Sequence, residues 1–206
     1  MKTSNLSIIA IALLLVAFLM SCTATKKKES EELIRKGRLY TQFGKIDSAL
    51  LFFNQAGKLD KSNYEPHFFK RNIYVGKRDF ESALKESQKA LEKMPFDYPS
   101  YEHEWLHTGM LYDAYGDSAH SVQHYKKCIE ISNAKLDTLT DSTNVGKYRT
   151  YRAFAYLLMG DSKGKKEMLS LSEEYPNQMK YAKFLDADKQ EILQFYGYLL
   201  VNEVKE

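Results

Sequence analysis

The chain opens with a continuous apolar run, Ile8 to Met20, after a short start that carries one positive charge at Lys2. The run is too short for a comfortable membrane span, which needs about 20 apolar residues. A charged start, a short apolar centre and a small residue at the boundary are the layout of a secretory signal. Residues 1–21 are therefore predicted to be a signal peptide. Residues 22–32, which have no apolar side chain larger than Ala, are predicted to be a flexible linker.

From residue 33 onward, small and aromatic positions recur in a pattern with a period of 34. Gly37, Tyr40, Gly44, Ala49, Phe53 and Ala56 are reproduced step for step by Gly109, Tyr112, Gly116, Ser121, Tyr125 and Cys128. Weaker copies keep Tyr74, Ala83, Ser87, Ala90 and Pro95 in a second unit and Ala153, Tyr156 and Gly160 in a fourth. The turn positions Gly44, Arg78, Gly116 and Gly160 lie 34, 38 and 44 residues apart, so the later units are separated by insertions.

Together with Trp105, these residues resemble the tetratricopeptide repeat (TPR). The resemblance implies an all-α fold, a right-handed superhelix of antiparallel helix pairs, with about four TPR-like hairpins in residues 33–179. Small residues on one helix would let a bulky Tyr or Phe of its partner approach closely. Gly44, Gly116 and Gly160 would end the first helices in the left-handed conformation. A generic helical-hairpin protein is the alternative.

The last segment, residues 180–206, is predicted to form a capping helix. The stretch from Asp186 to Val204 is amphipathic, and Asp186 or Asp188 is placed to cap its start. A solenoid needs a terminal element with one polar face to close its last repeat. The alternative is self-association, in which this helix docks on another subunit through the apolar residues Phe195, Tyr198, Leu199 and Val201.

The end of the apolar run, Leu19-Met20-Ser21-Cys22, resembles the lipobox of bacterial lipoproteins. The resemblance implies that Cys22 carries a covalent diacylglyceryl group and an N-acyl chain, with no other cofactor, and that the lipid tethers the domain to a membrane. Because Thr23 and not Asp follows, it also implies the outer membrane of the bacterial cell envelope, facing the periplasm. The alternatives are an ordinary signal peptide with a chance cysteine, or an uncleaved anchor helix.

The composition argues against a disordered chain and against a nucleic-acid partner. With 206 residues, 13% of them aromatic, the chain is too rich in core-forming side chains to be disordered throughout. Thirty basic against 27 acidic residues leave a net charge of only +3, so no nucleic-acid partner is expected. Cys128, besides Cys22 the only other cysteine, occupies a small-residue position of the repeat and is predicted to be a buried apolar side chain.

A polar insertion precedes the fourth unit, in residues 136–145. Short triplets that begin at Asp47, Asp117, Asp137 and Asp141 resemble the O-glycosylation sequon of Bacteroidota periplasmic proteins. The two triplets in the insertion are the accessible ones, so the loop is a candidate for glycosylation.

One motif is typical of catalytic zinc. His103-Glu104-Trp105-Leu106-His107 satisfies H-E-x-x-H, in which two histidines on one helix face bind zinc and the glutamate activates water. His120 and His124 repeat the spacing. The metzincin continuation is absent, because Asp113 stands where a third histidine is needed. We therefore predict solvent-facing histidines, no catalytic or metal-binding residues and no enzyme; the alternative is a metal-binding or zinc-dependent hydrolytic lipoprotein.

TPR arrays generally bind peptides or proteins along a concave face lined by the first helix of each pair. By resemblance, the chain is a cell-envelope scaffold or adaptor for a protein or peptide partner. The predicted groove consists of Ile34, Arg38, Phe68, Asn72, Leu106, Met110, Asp113, Phe154 and Leu157. The alternative for Met110, Phe154 and Leu157 is that they pack against neighbouring helices. Asn72 fits the family's carboxylate clamp, but Ile34 stands where that clamp needs a lysine.

Overall fold

The computed structural model describes residues 3–140, 144–176 and 183–199, with side chains described from residue 23 onward, and every regular element in these ranges is a helix. The helices are α1 (Thr3–Gln42), α2 (Ile46–Leu59), α3 (Glu65–Gly76), α4 (Phe80–Lys93), α5 (Tyr101–Tyr115), α6 (Ser118–Thr138), α7 (Val145–Leu158), α8 (Ser162–Glu174) and α9 (Lys189–Phe195). Among the residues with described side chains, no helix combines the length and apolar character that a membrane span requires. The chain divides into unit 1, Met1–Lys70, and unit 2, Arg71–Glu206.

The four predicted turn positions all adopt the left-handed conformation. Their φ angles are 69° at Gly44, 61° at Arg78, 93° at Gly116 and 72° at Gly160. The sequence prediction is confirmed at the glycines, and Arg78 adopts the same conformation although its Cβ makes that conformation costly. The residue after three of these turns caps the next helix by accepting a backbone N–H bond: Asp79, Asp117 and Asp161.

Unit 1 is a hairpin of α1 and α2 followed by the start of α3. A Cβ added at Gly37 would lie 2.5 Å from Cε1 of Phe53, so the glycine is what allows the two helices to approach. Residues 22–32, predicted to be a flexible linker, are helical and continue α1. Lys, Glu and Ala favour helix, and the Ser30 hydroxyl is buried and donates to the carbonyl of Ala56 at 3.0 Å.

Unit 2 contains the hairpins α5–α6 and α7–α8, with α4 against α5 and α6 against α7. The α5–α6 hairpin repeats the packing of unit 1, because a Cβ at Gly109 would lie 2.5 Å from Cε1 of Tyr125. Cys128 is fully buried in this core, as predicted, and burial raises the pKa of its thiol. The small residues of the repeat therefore serve close helix packing in both units.

The terminal helix is shorter than predicted. Asp188, one of the two predicted N-caps, starts α9 and forms a reciprocal capping box with Glu191. The helix ends at Phe195 and not at Val204, because Gly197 adopts a left-handed φ of 77°. The structure describes neither residues 177–182 and 200–206 nor the glycosylation triplet at 141–143. The side chains of residues 1–22, including Cys22, also lie outside its description.

Candidate functional site

The C-terminal segment, which we define as residues 183–199, folds back onto the first helices of the pairs in unit 2. We call the unit 2 side chains of α3, α5 and α7 that surround it, together with Arg78 in the turn after α3, the first-helix face. On α7, the Phe154 ring lies 4.9 Å from that of Phe184 and 5.7 Å from that of Tyr196. Phe184 and Tyr198 are each only 2% exposed and belong to the same apolar cluster as the core of α5 and α7.

Polar contacts hold the same segment at α5 and at the turn after α3. The Arg78 guanidinium donates to the main-chain carbonyl of Tyr198 at 2.9 Å, and the Tyr198 hydroxyl is 2.6 Å from Nδ1 of His107. Lys189 donates to Oδ1 of Asp113 at 2.7 Å, and the Tyr125 hydroxyl donates to Oδ2 of the same carboxylate at 2.5 Å. The Tyr125 hydroxyl of α6 therefore orients the Asp113 carboxylate, and the same carboxylate accepts a bond from Lys189 of the segment.

A buried ion pair lies close to these contacts. Arg71 of α3 and Glu104 of α5 are directly paired, and their side chains are only 4% and 5% exposed. A buried charge pair of this kind needs good geometry to offset the cost of removing both groups from water. Glu104 is thus occupied by a guanidinium, and this arrangement does not leave it placed as the water-activating base of a zinc hydrolase.

The rings of His103 and His107 meet edge to face, with 4.2 Å between their centroids, and each also contacts a tyrosine ring. Their Nε2 atoms are 3.0 Å apart, and the His103 ring lies 4.5 Å from that of Tyr151. Burial, assisted by the charge of Arg71, lowers the pKa of His103 to about 4. Burial and the neighbouring His103 hold the pKa of His107 well below its usual value. The prediction that these two histidines face solvent is wrong, because both are half-buried: His107 lies against Tyr196 and Tyr198 of the C-terminal segment, and His103 lies against Tyr151 of α7.

The second histidine pair has different neighbours. His120 is exposed, as predicted, and its Nδ1 lies 2.6 Å from the carboxylate of Asp117. His124 is half-buried and packs between the rings of Trp105 and Tyr112, at 5.1 and 4.8 Å. Among the side chains that the structure describes, no three His, Cys, Asp or Glu residues are grouped so that they could hold a metal ion.

The predicted groove residues differ in how far they are exposed. In unit 1, Ile34 is buried, Phe68 is half-buried, and Arg38 is exposed with its guanidinium 5.4 Å from the Phe69 ring centroid. In unit 2, Asn72 is exposed and its side-chain oxygen accepts two bonds from Arg71 at 3.1 Å.

On the remaining two first helices, the predicted residues are largely covered. Leu106 and Met110 have no exposed surface, Phe154 is 3% exposed, Leu157 is half-buried, and Asp113 is bonded as described above. The sequence analysis missed Arg71 and Arg78 as members of this face and did not place Tyr198 on it. The apolar set around Tyr198 was a signal for docking, but the sequence did not reveal the surface on which it docks.

Comparison with known proteins agrees with the helical-repeat fold. The profile of the tetratricopeptide-repeat family matches residues 105–135, which cover most of α5 and α6. Among solved structures, YrrB, described as a TPR protein with an unusual peptide-binding site, superposes with a TM-score of 0.53 at 16% identity, covering 88% of this chain and 90% of its own. MamA gives 0.51 at 18% identity over 74% and 81%. The chain has the fold of a TPR protein.

These likenesses extend to the fold alone. The N-terminal domain of stress-induced protein-1 from C. elegans also matches, at a TM-score of 0.47 and 15% identity over 61% of this chain and 96% of its own. No curated protein sequence matches at a significant level. TPR proteins are generally non-enzymatic scaffolds, and the matches indicate no catalytic family.

Proposed function

We propose that this chain is a lipid-anchored scaffold of the bacterial cell envelope that binds a protein or peptide partner through the first helices of its repeats. The observation that carries the proposal is the first-helix face, which already holds residues 183–199 of the chain by apolar and polar contacts together. TPR proteins of this fold bind peptides or proteins, and YrrB is itself described as having a peptide-binding site.

Exposed side chains on the first helices offer further contacts for a partner. Arg38 presents a guanidinium held above an aromatic ring in unit 1, and Asn72 presents an amide in unit 2. Arginine and aromatic side chains carry a large share of the binding energy in many protein interfaces. Each of these two residues is thus a partner-binding candidate in its own unit.

Lipid attachment at Cys22 is supported by the sequence around it and by the charge beside it. The lysines 26, 27, 58 and 61 line a cleft in unit 1 together with Thr23, the residue after the proposed lipid site, and one carboxylate, Asp60. Basic side chains close to a membrane surface are attracted to anionic headgroups. A lipid at Cys22 would place this cleft at the bilayer, with outer-membrane attachment facing the periplasm as the proposed location.

The anchor is tested by Cys22→Ser in intact cells. Fractionation and mass spectrometry of the N-terminal peptide should show loss of the acyl groups and release of the protein from the membrane fraction. Cys128→Ala is the matched control, since Cys128 is buried in the core and should leave lipidation unchanged. Acylation that persists in Cys22→Ser would refute the anchor.

The partner is sought by crosslinking in intact cells, purification of the lipidated protein and identification of what accompanies it. We expect Arg38→Ala or Asn72→Ala to reduce recovery of a specific partner several-fold while the fold is retained. Lys36→Ala, an exposed cation two residues from Arg38, is the control that should retain the partner. Equal recovery of the partner with all three variants would exclude Arg38 and Asn72 as partner contacts.

A further inference from the structure

The C-terminal segment does more than close the last hairpin. A terminal cap needs to contact only the final repeat, whereas this segment reaches three successive first helices or the turns that end them. Phe184 and Tyr196 contact α7, Lys189 contacts α5, and Tyr198 contacts both α5 and the turn after α3. The segment thus runs along the face by which arrays of this fold receive a peptide.

The contacts have the character of peptide recognition. Arg78 binds a main-chain carbonyl and Asp113 binds the end of a lysine side chain, while His107 binds a tyrosine hydroxyl. Main-chain hydrogen bonds supply affinity that does not depend on side-chain identity, and pockets for particular side chains supply specificity. The face therefore combines a contact that any peptide can make with contacts that select lysine and tyrosine.

The segment is also a short element with its own local order. Its helix is capped internally by Asp188 and Glu191, and Gly197 turns the chain so that Tyr198 points into the face. A cleft of about 610 Å³ remains between residues 185–189 and the α7–α8 turn, so the start of the segment is not closely packed on that turn.

We propose that residues 183–199 are a built-in ligand of the first-helix face, and that a partner binds there by displacing them with a segment of the same chemistry. That partner segment carries a lysine for Asp113 and aromatic side chains for His107 and Phe154. The inference rests on the proposed scaffold function and deepens it. A ligand tethered to the same chain competes at an effective concentration of about millimolar, so free peptide binds weakly until the tethered segment is loosened.

The test uses a fluorescent synthetic peptide of residues 183–199 and the full chain. In anisotropy titrations we expect the double variant Lys189→Ala/Tyr198→Ala to bind the peptide at least tenfold more tightly than the wild type, because its own segment is weakened while the face is intact. Adding Arg78→Gly to the double variant should reverse much of the gain, because the face then loses its main-chain contact. Lys183→Ala is the matched control, since this lysine lies over Phe195 of its own segment.

Two results would overturn the proposal. The first is a folded double variant, by circular dichroism, that binds the peptide no better than the wild type. The second is a hydrogen-exchange result on the wild type, and this measurement tests the proposal even if the double variant does not fold. Amides of residues 189–198 should exchange at least tenfold faster than those of α5, because the segment opens by itself; equal rates would make it an integral part of the core.

Failure of this inference is distinguishable from failure of the scaffold function. If a crosslinked partner is recovered equally from the wild type and the double variant, it binds elsewhere on the chain. The scaffold function then stands and the built-in ligand is refuted. If the peptide binds as expected but no partner is recovered, the segment is a ligand in cis and the scaffold proposal fails.

Discussion

The hairpins α1–α2 and α5–α6 share a repeat pattern but differ in what they do with it. Each brings a glycine against an aromatic ring, Gly37 against Phe53 and Gly109 against Tyr125. The hydroxyl of Tyr125, which Phe53 lacks, bonds Asp113, and Asp113 in turn holds Lys189. At the position corresponding to Asp113, Thr41 instead donates to the carbonyl of Gly37 at 2.9 Å.

The repeat pattern thus determines packing within a hairpin, whereas single polar residues at its positions create a binding face. In the α5–α6 hairpin, the Tyr125 hydroxyl and the Asp113 carboxylate together form a binding site for a lysine side chain. In unit 1 the corresponding position is satisfied locally, and Arg38 stays exposed. Four predictions probe this contrast.

The largest effect is expected from acid, which should protonate His103 of α5 in the unfolded chain but not in the folded one. Because burial lowers the pKa of His103 to about 4, the folded state excludes a proton that the unfolded chain accepts below pH about 6.5. The contribution of His103 to the free energy of unfolding is therefore fully present above that pH. It is lost as the pH falls towards 4, which lowers the free energy of unfolding by about 3 kcal/mol. Denaturant unfolding at pH 7 and pH 4 measures the loss.

Two glutamine variants isolate this contribution from the titration of the carboxylates. His103→Gln should reduce the acid loss by most of that amount. His120→Gln, at an exposed histidine of the same hairpin, should leave it unchanged. An acid loss identical in both variants would show that the buried histidine is not its source.

The next largest effect tests whether the two hairpins are equivalent in packing. Gly37→Ala and Gly109→Ala each place a methyl group 2.5 Å from an aromatic ring carbon, and overpacking of this kind costs about 2 kcal/mol. Thermal or denaturant unfolding should show similar losses for both. Gly76→Ala is the control, because nothing lies within 4 Å of its added Cβ. A loss at only one of the two sites would break the equivalence.

A smaller effect is expected from removing the hydroxyl that distinguishes the hairpins. Tyr125→Phe deletes the bond to Asp113 and should cost about 1.5 kcal/mol, as for hydrogen bonds to charged groups. It should also speed hydrogen exchange around Lys189, because the carboxylate loses its orientation. A variant whose exchange near Lys189 matches the wild type would show that Asp113 needs no support from α6.

The smallest net effect is expected from Arg78→Gly. Glycine relieves a left-handed φ of 61°, a gain of about 1 kcal/mol, while the bond to the Tyr198 carbonyl, worth about 1 kcal/mol, is lost. The free energy of unfolding should change by less than about 0.5 kcal/mol. Gly44→Ala, which introduces the same strain with no compensating bond, should cost about 1 kcal/mol. Equal losses for both would contradict this balance.

The features that the sequence predicted correctly are those decided within a few residues or within one hairpin. The left-handed turns at Gly44, Gly116 and Gly160 follow from their places in the repeat, and the approach of Tyr125 to Gly109 follows from their fixed separation. Both depend on local geometry that the period of the pattern makes visible.

The features that it missed depend on contacts between distant parts of the chain. The Arg71–Glu104 pair joins residues 33 apart, and the His107–Tyr198 contact joins residues 91 apart. The burial of His107 follows in part from Tyr196 and Tyr198 near the end of the chain, so no spacing around the histidine could predict it. The helical state of residues 22–32 was missed for another reason, because absence of apolar side chains was given more weight than helix propensity.

The unbroken course of α1 has a consequence for how the protein would search for its partner. Because Ser30 is fixed on α2, only about eight residues separate it from the proposed lipid at Cys22, and a helix of that length rises about 12 Å. The connection between the lipid and the α1–α2 hairpin would then be a short rigid helix and not a flexible linker. The α1–α2 hairpin would then stay within a thin layer next to the bilayer, and its encounters would be confined to partners that enter that layer.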